Sequence, residues 1–376
     1  MTLDMTSGHT VLNAVYPVDR LVFGDAWTTD DPALRIQLIR DSVRHHLDNC
    51  ALYACYAERL GFSVELVQSQ QDLAFVPQLP TTVFKRGTRI LSCDPDAIAR
   101  RCTSSGTQGR LSEVYRDRTT IERLLGSVRR GVELLGDWHE DEVAVLNLGP
   151  SRAEAGDLWF AYVMSLIDVP FHTEHAVHSG VFDRESARRA LVRLRDQFPT
   201  VVVIGPPALV LELAGRLDSR GRGDGGDLLV VTAGGWKRYN GKVLDRSEFT
   251  GVVRKAFGLR HDDQVRDAFN QVELNTIVLE CAQRRKHLPP WLEVIVRDPR
   301  TLKAAPGGAP GLLSYLDPTA VSYPGFILAD DYGSVCDEQC PCGVPGRTLE
   351  HHRRVERTEE WGCALKMDRD YAGGKR

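Results

Sequence analysis

The stretch VVVIG at residues 201–205 is an unbroken β-branched run closed by a glycine. So short and apolar a run reads as a strand buried on both faces, the kind that parallel sheets use. VAVLNLG at 143–149 and LLVVT at 228–232 read the same way. Helical patterns lie between and after them, over 186–197, 208–217, 248–257 and 264–284. Strands alternating with helices predict an α/β fold with mainly parallel sheets and flanking helices. Ligands of such folds gather beyond the C-terminal ends of the strands.

Upstream, Asp30 and Asp31 are helix-cap candidates and Pro32 suits a first turn. Apolar positions then recur from Leu34 through Tyr53 to Leu60, with Gly61 as a stop, which predicts two helical pieces. Downstream, shorter strand candidates at 292–297, 311–316 and 325–329 are separated by Pro and Gly and predict a smaller β-rich section.

The 376 residues carry 47 basic and 51 acidic side chains, a net charge of −4, so no global basic field points to nucleic acid. Aromatic residues at 7% supply no stacking platform for single strands. No run approaches the roughly 18 apolar residues of a membrane span. The first residues, MTLDMTSGHT, lack the basic and apolar regions of a signal peptide, so a cytoplasmic protein is expected. Nine cysteines, an odd number, do not suggest a disulfide framework.

Four segments carry candidate chemistry. Thr103-Ser104-Ser105-Gly106-Thr107-Gln108-Gly109 combines hydroxyls with glycines, a composition that lets backbone N–H groups curl around a polyphosphate. A polar surface turn is the competing reading, and the Walker A spacing is absent. Gly234-Gly235-Trp236-Lys237 follows a buried run, where paired glycines admit a flat ligand and Lys237 meets an anion; alone, an ordinary turn explains it as well. Glu273, in Phe269–Leu274, is a magnesium ligand or a solvated carboxylate. Asp330 and Asp331, before Gly333, suit a ribose diol or a capped turn.

In order and spacing these segments resemble the adenylate-forming enzymes: the phosphate loop at 103–109, the aromatic-Gly-x-Thr-Glu motif at 269–274, and the Thr-Gly-Asp-x-Gly motif at 329–333. More closely, the chain resembles the acyl-protein synthetase family of LuxE type, the fatty-acid-activating component of bacterial bioluminescence. PQLPTTVFKRG at 77–87, TSSGTQG at 103–109, GGWK at 234–237, HLPPWLEVIVRDPRTL at 287–302, SYPGFILADDYG at 322–333, CPCGVPGR at 340–347 and WGC at 361–363 carry that resemblance.

The resemblance implies an adenylation core over 1–331 and a small C-terminal segment, 332–376. It implies ATP- and Mg2+-dependent activation of a carboxylic acid as an acyl-adenylate, then transfer to a thiol. Ser104, Ser105, Gly106, Thr107 and Gly109 would hold phosphates, Glu273 the magnesium, and Asp331 the ribose. Gly234 and Gly235 would flank the adenine or the acyl carboxylate, with Lys237 as an electrostatic partner. Cys363 falls where the family keeps its acyl group as a thioester, bound for a reductase or carrier partner. Two other readings stay open: direct transfer to CoA, a carrier protein or an amine, and a degenerate nucleotide-binding scaffold.

Asn270 and Val272 depart from the motif's glycine and threonine, and Gly109-Arg110-Leu111 lacks the usual Pro-Lys. The segment after Asp331 is also shorter than the mobile C-terminal domain of acyl-CoA synthetases. Cys336, Cys340 and Cys342, with His351 and His352, offer soft ligands, but C-x3-C-x-C is not the paired spacing of a zinc site, and packing is favoured over structural zinc. His172, His175 and His178, framed by Pro170 and Gly180, are read as polar or substrate-pocket histidines on a loop rather than a metal triad. Arg353–Arg357 reads as a solvated charged face.

Overall fold

The computed structural model describes residues 17–105, 111–217, 227–234 and 244–355. A seven-stranded sheet holds the strands anticipated from the apolar runs. Val143–Pro150 lies between His172–His178 and Thr200–Gly205; Asp227–Ala233 and Val265–Phe269 extend the sheet beyond Thr200–Gly205, and all of these neighbours pair in parallel. The short strands Val278–Leu279 and Val181–Phe182 close the two edges in antiparallel fashion.

Successive side chains on a strand point to opposite faces, and here the two faces have different fates. Val201, Val203 and Val230 pack with Leu191, Val210 and Phe249 from the helices Arg184–Gln197, Pro207–Ala214 and Arg246–Phe257. Val145, Val202 and Val231 face the other way, toward Val128 and Val132 of helix Arg118–Val132 and Tyr162 of helix Trp159–Ser165. That second face encloses the cavity described below.

The β-rich section forms a second sheet. Its strands run Lys286–His287, Thr348–Arg354, Phe326–Cys336, Gly311–Leu316 and Glu293–Arg297, antiparallel throughout, with Leu79–Pro80 added in parallel to Phe326–Cys336. Parallel pairing therefore describes the larger sheet, and the smaller one is antiparallel. Position 331 lies within Phe326–Cys336, and Thr348–Arg354 pairs with that strand. Residues 332–336 and 348–354 are thus part of the sheet, joined by a loop over 337–347. Buried Glu293 fastens it to the N-terminal helices: its carboxylate accepts from Arg35 at 3.0 Å and from Arg347 at 2.8 and 2.7 Å.

The helical pair near the N-terminus is Pro32–Asn49 and Ala51–Arg59. Asp31 caps the first, accepting from the amides of Ala33 and Leu34, and Gly61 follows the second with φ at 65°. Two expectations fail. Residues 264–284 are not helical: Val265–Phe269 and Val278–Leu279 are strands joined by a turn. The apolar positions Val265, Ala268, Phe269 and Val272 imitate a helical stripe, but the open edge of Asp227–Ala233 recruits the segment as a parallel strand. His172–His178 is likewise a strand rather than a loop, which turns His172 and His175 to opposite faces. Among the described residues, no helix is long and apolar enough to cross a membrane.

Candidate active site

The hairpin of Ile98–Thr103 and Glu113–Asp117 presents the serine-rich loop. Ser104 and Ser112 close its base twice: the amide of each donates to the other residue, Ser104 to the carbonyl of Ser112 and Ser112 to the Ser104 hydroxyl, both at 3.0 Å. Gly106, Thr107 and Gly109 lie outside the described residues, as do Gly235, Lys237 and Cys363. The candidates that are described, Ser104, Ser105, Gly234, Glu273 and Asp331, all line one cavity of about 340 Å3. That volume is within the range of roughly 300–1,000 Å3 usual for small-molecule sites.

Glu273 sits in the turn after strand Val265–Phe269 and is 4% exposed. Burial raises its carboxyl above the usual range, while a hydrogen bond with Ser112 and the charges of Lys85 and Arg354 oppose the rise. A buried carboxylate in a cavity wall, with no guanidinium or ammonium in contact among the described ion pairs, fits a divalent cation. Asp331 reaches the cavity from strand Phe326–Cys336, where its Oδ1 lies 3.0 Å from Nε2 of His351. Its neighbour Asp330 is occupied elsewhere, accepting from Thr81 Oγ1 at 2.8 Å and pairing with Lys85 at 3.6 Å and Arg354 at 3.8 Å.

Gly234 follows strand Asp227–Ala233 with φ at 73°. A Cβ there would stand 3.0 Å from the Phe160 ring. Both its backbone and its neighbour therefore call for glycine. The two departures from the motif have structural roles. The Asn270 side chain accepts from Trp159 Nε1 and donates to the carbonyls of Leu274 and Thr276, at 3.2 and 2.8 Å, so it ties the Glu273 turn shut. Val272 is buried, and its carbonyl accepts from Arg116 at 2.6 Å. Arg116 is itself buried, stacked over the Trp159 ring at 3.5 Å.

Several cavity residues escape the sequence reading. Lys85 lies inside the shared PQLPTTVFKRG segment, which gives it no role of its own. His351 reads in sequence as a soft metal ligand and Arg354 as part of a solvated face; both line the cavity. The far end of the cavity is apolar, walled by Val128, Val132, Leu135, Val202, Ile204 and Val231. An amphipathic helix and buried strands give no sequence signal that separates a cavity wall from ordinary core. The cavity thus joins a polar end bearing carboxylates, hydroxyls and cations to a hydrocarbon-lined end. Cys340 and Cys342 do converge with other soft ligands, but these are Cys281 and His287; His351 is engaged with Asp331, and His352 lies 3.5 Å from Glu350.

The family model described as acyl-protein synthetase, LuxE, matches residues 5–372. The long-chain-fatty-acid–luciferin-component ligase of Vibrio harveyi is 39% identical over 360 residues, covering 94% of this chain and 93% of its own length. The ligase of the same name from Aliivibrio fischeri is 37% identical over 356 residues, with 93% of each chain covered. Among solved structures, 2-hydroxyisobutyryl-CoA ligase in complex with 2-HIB-AMP and CoA superposes with a TM-score of 0.69. It shares 15% identity and covers 87% of this chain and 68% of its own, a likeness of fold.

Proposed function

The chain belongs to the LuxE acyl-protein synthetase family, and from that premise we propose that it activates a long-chain fatty acid with ATP and passes the acyl group to a thiol. It is a ligase of the adenylate-forming kind. The fatty carboxylate attacks the α-phosphorus of ATP, the bond to the bridging oxygen breaks, and pyrophosphate leaves. The mixed anhydride then yields its acyl group to a thiolate, releasing AMP.

One observation carries this reading: a single cavity has a polar end that suits a nucleotide and a carboxylate and an apolar end that suits an alkyl chain. Ser104 and Ser105 meet the phosphates from the hairpin, together with Gly106, Thr107 and Gly109 of the same loop. Asp331, held by His351, accepts hydrogen bonds from the ribose hydroxyls. Gly234 and Gly235 let the adenine or the acyl carboxylate approach the backbone, and Lys237 and Lys85 add positive charge. Glu273 is the residue to hold Mg2+, which when bound offsets the phosphate charge. Burial of the aliphatic tail against Val132, Val202 and Val231 excludes water from the reacting carboxylate.

Cys363 is the thiol that receives the acyl group before it moves to a partner, and a reductase, a carrier protein and CoA are the acceptors to compare. We place the reaction in the cytoplasm, where ATP and reduced thiols are at hand. The test is pyrophosphate release with ATP and Mg2+ against straight-chain, branched and aromatic acids, with radiolabelled acid to reveal acyl-enzyme. Release that rises with chain length, with label lost in Cys363→Ser but release retained, is the expected result. No acid-dependent release while ATP still binds overturns the reading in favour of a scaffold.

A further inference from the structure

Cys281, His287, Cys340 and Cys342 meet where the turn after Val278–Leu279 touches the loop joining Phe326–Cys336 to Thr348–Arg354. One ligand atom from each lies within 4.8 Å of all the others. Cys281, His287 and Cys340 are buried, and Cys342 is half-buried. The Cys281 and Cys340 sulfurs are 3.7 Å apart, and His287 Nε2 is 3.3 Å from the Cys342 sulfur. A disulfide would draw two sulfurs to about 2 Å. Tetrahedral zinc, with Zn–S bonds of about 2.3 Å, holds its sulfurs about 3.8 Å apart.

The backbone around the cluster is shaped to present sulfur. The Gln283 amide donates to Cys281 Sγ at 3.3 Å, and Arg284 closes the turn with φ at 55° and its amide on the Cys281 carbonyl at 2.8 Å. On the other side, the Gly343 amide donates to the Cys340 carbonyl at 3.1 Å with φ at 86°, a conformation open to glycine. The first turn curls the chain around a sulfur in the manner of a metal-binding knuckle, and the second is a tight turn directly after Cys340. His287 Nδ1 has no partner among the described residues, so no hydrogen bond from that nitrogen commits the ring to another role.

We propose that these four side chains hold a structural zinc ion in a closed Cys3His site. The three thiols give up their protons to solvent on binding, and the neutral imidazole supplies the fourth ligand. Four protein ligands leave no open position, so the ion does no chemistry of its own. Three thiolates on a divalent cation leave one net negative charge. Arg266 is buried beside it, with its guanidinium donating to the Cys281 carbonyl, and supplies a counter-charge. The ion would clamp the loop that leads into Thr348–Arg354, the strand bearing His351 and Arg354, to the Cys281–His287 turn.

The test is the metal content of the full chain, untagged and purified without chelator after growth in zinc-supplemented medium. One zinc per chain is expected, released when a mercurial titrates the thiols. After replacement by cobalt, strong d–d bands in the red and a thiolate charge-transfer band in the near ultraviolet should appear. Cys342→Ser alters the most exposed ligand; the folded variant, checked by circular dichroism, should bind zinc at least tenfold more weakly. Protein that stays metal-free when equilibrated with equimolar zinc, or that carries a Cys281–Cys340 disulfide when isolated without reductant, overturns the proposal. Unchanged zinc affinity in the folded Cys342→Ser protein also overturns the four-ligand site.

Discussion

Asp331 Oδ1 and His351 Nε2 lie 3.0 Å apart across two antiparallel strands at the polar end of the cavity. The same imidazole packs on Phe269, ring centres 4.9 Å apart, so it is held from two sides. If Asp331 binds the ribose, His351 is a positioning residue. Removing one hydrogen bond of this kind is worth about 1 kcal/mol, so His351→Ala should raise the KM for ATP about fivefold to tenfold and change kcat less. His351→Gln, which keeps a donor, should recover part of the loss. Equal KM values in all three proteins would remove His351 from the site.

Glu273 gives a prediction with a sign. Burial raises its folded carboxyl above its unfolded value, so the folded state binds the proton more tightly. The stability this contributes is complete below the unfolded pKa and is lost as pH rises through the folded one. Without nucleotide, Glu273→Gln should therefore raise Tm at neutral pH and flatten the decline of Tm on going from about pH 4.5 upward. The same variant should lose magnesium-dependent pyrophosphate release. Thermal denaturation across pH, paired with the release assay, checks both; a lower Tm at neutral pH would contradict the assigned cause.

His46 runs the opposite way. It is buried, its ring nitrogens 2.7 Å from Ser92 Oγ and 3.2 Å from the Ala320 carbonyl, and burial holds its pKa well below 6.5. The neutral ring is the folded form, so stability present above pH 6.5 is lost as pH falls below that value. His46→Gln should be less stable at neutral pH but show a shallower loss on acidification between about pH 6.5 and 5. Parallel acid limbs in the two proteins would show that another group titrates there.

Ser104, Ser105, Gly234, Glu273 and Asp331 stand out in the sequence because hydroxyl-glycine loops, strand-end glycines and paired acids are local patterns, and the fold brings these five to one cavity. The buried strands are legible for the same reason, since a β-branched run announces itself within a few residues. The failures are non-local. Residues 264–284 imitate a helix until the edge of Asp227–Ala233 claims them. His351 acquires its meaning from Asp331, 20 residues away on another strand, and Cys281 meets Cys340 across 59 residues. Asn270 reads as damage to a motif, yet its amide fastens the very turn that carries Glu273.

Gly234 should tolerate no side chain. Its φ of 73°, with the Phe160 ring 3.0 Å from where a Cβ would stand, predicts a loss of about 1–2 kcal/mol for Gly234→Ala. Adding Phe160→Leu should recover the steric part and leave the backbone part. A Gly234→Ala protein with unchanged Tm would contradict this, and denaturant titration of the single and double variants measures both parts.

Chain-length preference should follow the apolar wall. Each methylene buried there contributes about 0.8 kcal/mol, so kcat/KM should rise about fourfold per carbon until the cavity is full. Val132→Phe or Val202→Phe should move the best acid to a shorter chain. An unchanged optimum in both would place the alkyl chain elsewhere.

Val202 and Val203 are consecutive on one strand, the first lining the hollow and the second filling a solid layer. A truncation at Val203 opens a void, whereas one at Val202 only re-dimensions a space that already exists. Heritable variation therefore has one permissive and one forbidden register along the same strand. Substitutions at alternate positions thus resize the hollow in single steps, while the packed layer beneath stays constant.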